Sequence, residues 1–203
     1  DAISYESPKL EKANFAVEAK EFASDLAQTT QAVSTEQLSE VTFSHLHSHS
    51  QFSVLQAVSS VEEIVNEAAN QKMPAVALTD MGNMMSAWVV VRKANQAGIK
   101  PIVGVELNVC KDMNDKSTKD DGYPTVFLAK NKAGYHNLVK LASKAYTDGF
   151  YYVPRIDRNL VEEFKDNLVV LTGGLFGEVP SKILNIGEKQ AEEAFVYWKN
   201  TLG

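Results

Sequence analysis

Cysteine is nearly missing from this chain: Cys110 stands alone among 203 residues, which excludes an internal disulfide framework and fits a reducing compartment. Basic residues are outnumbered, 20 Lys and Arg against 26 Asp and Glu. At a formal charge of -6 and a pI near 5.3, the chain offers no electrostatic footprint for non-specific nucleic-acid binding, so any contact with DNA is made elsewhere or through a partner. No apolar run approaches membrane-spanning length, and the first residues have neither the basic nor the apolar region of a signal peptide, so a cytoplasmic location without a membrane partner is expected. An initiating Met is also lacking, and the last residues, Thr201, Leu202 and Gly203, follow directly on a helical pattern; both edges read as those of a fragment. With 44% hydrophobic and 23% charged residues the chain can bury one good core, so one domain with an appendage is expected.

Histidine is scarce too, and its placement is the first positive signal. Three of only four histidines, His45, His47 and His49, stand at alternate positions in T-F-S-H-L-H-S-H-S-Q-F-S-V-L-Q-A, residues 42–57. If the segment is a strand, the three rings line one face. Neutral imidazole is a common transition-metal ligand, so a metal-binding strand end stands against a merely solvated histidine cluster.

Residues 1–40 differ from the rest. Phe15, Ala19, Phe22 and Leu26 recur at helical spacing, but residues 28–40 have little apolar content, and the stretch reads as a linker, with a partner-docking helix as the alternative. From Val41 onward strand and helix patterns alternate. Ser60 and Glu63 form a capping box ahead of Val61, Ile64, Val65, Ala68 and Ala69. Residues 75–78 form a short apolar strand ending at Asp80. A helix with Ala87, Trp88, Val91 and Ala94 on one face is closed by Gly98, and residues 101–105 form a strand leading to Glu106. Residues 111–122 are a charged loop, and 125–129 a strand. Tyr135, Leu138, Val139, Ala142 and Tyr146 mark a helix, 157–166 a short helix, and 168–171 a strand. A last helix carries Ala191, Ala194, Phe195 and Trp198. Such alternation predicts the α/β class, with a parallel sheet covered by helices.

Parallel α/β folds build sites at the carboxyl ends of their strands. His47 and His49, Asp80 and Glu106 fall at such ends, the residue types of a hydrolytic metal centre. Asp80 is expected to cap the following helix, and Glu106, after an apolar strand, to belong to the site. His136 is expected on a helix surface, Cys110 to be inert, and Trp88 and Trp198 to be buried. Tyr146, Phe150, Tyr151, Tyr152 and Arg155 form an aromatic and basic cluster; in so acidic a chain, packing is expected over stacking on single-stranded DNA.

Four motifs in order, H-L-H-S-H-S-Q-F-S-V-L-Q, P-A-V-A-L-T-D-M-G-N, G-I-K-P-I-V-G-V-E and G-F-Y-Y-V-P-R-I-D, resemble the PHP (polymerase and histidinol phosphatase) domain of the bacterial DNA polymerase III alpha subunit. The likeness runs from Val41 to the end of the chain. F-S-V-L-Q, V-F-L-A-K-N-K-A-G-Y-H-N-L and V-P-S-K-I-L-N are similar to its Bacteroidetes-type form, in which an exonuclease domain precedes the PHP domain; residues 1–40 would then connect the two. The resemblance implies the first part of a distorted (β/α)7 TIM-like barrel, present here only in part. It implies DNA replication, with DNA-directed DNA polymerase activity and its Mg in a domain outside these residues. The implied partners are the rest of the polymerase chain, a proofreading exonuclease, the sliding clamp, and DNA through the parent. The metal ligands carried over are His47, His49 and Glu106, for Zn or Mn. His45 stands where many members have Asp. Met81, Gln56, Pro124 and Gly174 replace further ligands, so a degenerate site in a structural or docking module is expected, with an active phosphoesterase or 3'-5' exonuclease as the alternative.

Overall fold

Ser60 opens the first helix as its sequence predicts. Its Oγ accepts from Glu63 N at 3.2 Å, and Glu63 Oε2 accepts from Ser60 N at 2.7 Å. This helix, α1 (Val61–Asn70), buries Val61, Val65 and Ala68. The computed structural model describes residues 41–202, so the expected linker and the Phe15–Leu26 pattern lie outside the described residues. β1 (Ala75–Leu78) is buried at every position. It leads to α2 (Ala87–Ala97), closed by Gly98 in the left-handed conformation at φ 74. Ala87, Val90 and Ala94 form the buried stripe of α2. Trp88, one residue off that stripe and so about 100° round the helix, is 74% exposed, which corrects its expected burial.

β2 (Lys100–Cys110) runs well past the predicted residue 105. Its first residues pair with β1 in parallel, Ala75 beside Lys100 through Leu78 beside Val103. β3 (Tyr123–Ala129) returns antiparallel to β2, with Glu106 opposite Val126. β4 (Arg155–Asp157) joins β2 in parallel near its end, and β5 (Leu168–Leu171) lies antiparallel to β3. The sheet is therefore mixed, not parallel as expected. Loop 111–122 carries no helix, and a parallel neighbour needs a long crossover whereas an antiparallel one needs only a turn.

Asn131 caps α3 (Lys132–Thr147), which buries Gly134, Leu138, Leu141 and Ala145; Val139 and Tyr146 of the predicted face are exposed. Asp157 caps α4 (Arg158–Phe164), accepting from Leu160 N at 2.9 Å. α5 (Glu178–Asn185), which the sequence pattern does not announce, and α6 (Glu188–Leu202) complete the described chain. α6 buries Ala191, Ala194 and Trp198 and leaves Phe195 half-exposed. Successive strand residues point to opposite faces. Val105, Leu107 and Val109 of β2 pack with Phe127, Leu138, Ile156 and Trp198 in the main core, leaving Glu106 on the other face of the strand. A second cluster joins α1, β1 and α2 through Val65, Val76, Leu78 and Val90.

Candidate metal centre

Residues 45–53 are not the strand the alternating histidines suggest. His45 makes a single parallel bridge to Val76, and the chain then bends. It stays tied to β1, however: Ala77 N donates to His45 O at 2.9 Å and Thr79 N to Ser48 O at 2.9 Å. The bend separates the histidines. His45 is exposed, stacks edge-on against Phe43 at 4.9 Å and takes no part in the site. His47 and His49 turn toward β2.

There the structure brings His47, His49 and Glu106 together. His47 Nε2 lies 2.6 Å from Glu106 Oε2, His49 Nε2 lies 3.3 Å from the same oxygen, and the two ring nitrogens are 3.3 Å apart. Glu106 is buried, His49 half-buried and His47 more open. Burial alone would raise the Glu106 carboxyl, but the imidazole hydrogen bonds from His47 and His49 outweigh it and hold the group at about 2. Glu106 in turn raises His49 above its ordinary 6.5, with the nearby Asp80 charge adding to the effect and burial opposing it.

The donor set fits a divalent ion. Two imidazole nitrogens and one carboxylate oxygen make up a familiar three-residue zinc site with a fourth position open, and tetrahedral coordination at ordinary bond lengths spaces ligand atoms about 3.3 Å apart. Two of the three observed separations have that value, and the third is a short hydrogen bond.

Glu106 reaches this place because of what lies beside β2. Along the edge of β2 between β1 and β4, Met81 pairs in parallel with Glu106. Glu106 N donates to Asp80 O at 3.1 Å and Gly82 N to Glu106 O at 2.8 Å. Asp80 does not cap α2, as the local sequence suggests; Ser86 occupies the cap position. The Asp80 carboxylate is instead fully buried, accepting from Ser50 N at 2.7 Å, Ser50 Oγ at 2.9 Å and Ser53 Oγ at 2.8 Å. Sequence reasoning misses Ser50 and Ser53 altogether.

The other candidates lie apart from the triangle. Gln56 and His136 are exposed, and Pro124 lies in β3 opposite Asn108. A Cβ on Gly174 would meet no atom within 4 Å. Cys110 is buried, and burial pushes its thiol up to about 11, consistent with an inert residue. Arg155, from the aromatic cluster, is wholly buried and donates to the carbonyls of Gly149, Asp120, Met113 and Asp115. Tyr146 and Phe150 stack with their rings exposed at the surface.

An α/β chain whose His-x-His segment meets a strand carboxylate defines a class, and the PHP domain family profile matches residues 45–203. The chain belongs to the PHP domain family. Within it, similar proteins include DNA polymerase III alpha subunits. That of Thermus aquaticus is 40% identical over 153 residues, covering 72% of this chain and 12% of that protein. The Treponema pallidum subunit is 39% identical over 160 residues (77% and 14%), and the Borreliella burgdorferi subunit 36% over 165 residues (79% and 14%). The chain thus spans about one-seventh or less of these relatives. An amidohydrolase structure from Chromobacterium violaceum overlaps half of this chain and 32% of its own at 22% identity, with a TM-score of 0.38. No described helix is long and apolar enough to cross a membrane.

Proposed function

We propose that this chain is the PHP region of a bacterial replicative DNA polymerase, acting beside the rest of the polymerase chain as a structural and docking module with a reduced metal centre. One observation carries this reading. Met81 pairs directly beside Glu106, so at the edge of the site a thioether, poorly suited to a hard divalent ion, stands where the family resemblance expects an imidazole. Gln56, Pro124 and Gly174 extend the loss. His47, His49 and Glu106 would hold a single Zn or Mn, and an ion there would lower the pKa of a bound water. On this reading the described strands and helices are the first part of a distorted (β/α)7 barrel, and residues 1–40 connect it to a proofreading exonuclease. Template-directed synthesis, with its Mg, the sliding clamp and DNA, belongs to the parent.

The convergence of three donor atoms supports the second reading, an active metal-dependent phosphoesterase or 3'-5' exonuclease. Metal analysis of the purified parent, with its exonuclease rate after His47→Ala and Glu106→Ala, separates the two. The module reading expects the rate to survive both substitutions; stoichiometric Zn or Mn together with abolished cleavage overturns it. Met81→His alone is expected to restore no hydrolysis, because the other replaced ligands remain.

A further inference from the structure

Asp80 is a charged group in a place where charge is costly. It is fully buried, and no Lys or Arg pairs with it among the described residues. An amide of the same shape would present an NH2 donor in place of one carboxylate oxygen, losing the acceptor that takes Ser50 Oγ at 2.9 Å and the charge that strengthens the remaining bonds. What distinguishes Asp80 is that it grips both halves of the triangle. Its side chain accepts from Ser50 N, Ser50 Oγ and Ser53 Oγ, fixing the turn that follows His47 and His49. Its backbone carbonyl accepts from Glu106 N, fixing the carboxylate side. Ser53 Oγ also accepts from Met81 N at 3.0 Å, closing the link between turn and strand edge.

We propose that Asp80 is the positioning residue of this centre, holding the His47 and His49 rings in register with Glu106 through Ser50 and Ser53. The proposal rests on reading the triangle as a metal centre, and its test separates the two ideas. Zn2+ is titrated calorimetrically into the full chain and into Asp80→Asn and Ser53→Ala variants, and the imidazole nitrogen and proton signals are recorded without metal. Asp80→Asn is expected to weaken Zn2+ binding by about 10- to 100-fold, the usual effect of losing a group that orients ligands. It is also expected to shift the His47 and His49 signals toward that of exposed His136, which itself stays unmoved. Ser53→Ala moves both readouts the same way, and Ser53→Thr, which restores the hydroxyl, returns them. Unchanged Zn2+ affinity and unmoved His47 and His49 signals in folded Asp80→Asn overturn the proposal. If Asp80→Asn does not fold, Ser53→Ala decides by the same readouts. If the wild-type chain binds no Zn2+, the metal reading falls, and the metal-free imidazole signals still decide whether Asp80 positions the rings.

Discussion

A divalent ion held by the triangle would compete with the proton for the His49 ring nitrogen. Glu106 raises His49 above 6.5 while remaining ionised itself down to about 2, so the histidine is what a metal must deprotonate. Zn2+ affinity is therefore expected to climb as pH rises through 6.5 and to level off only above it; titrations at a series of pH values check this, and a flat profile contradicts it. At this scale the donor residues are legible in the sequence, because imidazoles at alternate positions and a carboxylate ending an apolar run are unusual residue types in unusual places. The role of Asp80 is not legible. Its partners Ser50 and Ser53 lie 30 and 27 residues away, and two serines carry no signal until the fold brings them to a buried carboxylate.

Among the elements, the clearest case of structure without chemistry is Arg155 at the start of β4. Its guanidinium binds three carbonyls of loop 111–122 and one after α3, so it gathers the loop that lets β3 return beside β2. Arg155→Ala is expected to destabilise the fold by at least the 1–3 kcal/mol, roughly, of leaving the buried Gly149 carbonyl unpaired. Faster proteolytic cleavage within 111–122 is the measurement that localises the effect, and unchanged cleavage would count against it. Most strand and helix positions follow the apolar periodicity, since that pattern reports burial; β4 and α5 do not. Strand direction does not, because an apolar strand reads alike in either sense; the missing helix in 111–122 was the available clue. α5 was hidden by Pro180 in its first turn, where proline is tolerated but looks like a breaker.

For the molecule as a whole, Glu178 joins three helices. It accepts from Arg158 at 2.6 Å, Lys182 at 2.7 Å and the Trp198 indole N–H at 2.9 Å. Burial alone would raise its pKa, but these partners hold it below the ordinary 4.5. A carboxyl depressed on folding contributes stability that is fully present above 4.5 and is lost as the pH falls below it through the lower native value. Denaturation midpoints are therefore expected to drop with acid below 4.5 in the wild type, and to drop less in Glu178→Gln; parallel curves would remove Glu178 as the cause. The two tryptophans add an optical consequence. Trp198 is almost fully enclosed against Phe127, while Trp88 stands on the outside of α2. Fluorescence should thus resolve into a blue component shielded from quenchers and a red one open to them. Melting the core will redden only the first, and any molecule settling on α2 will protect only the second, so one emission spectrum distinguishes unfolding from docking.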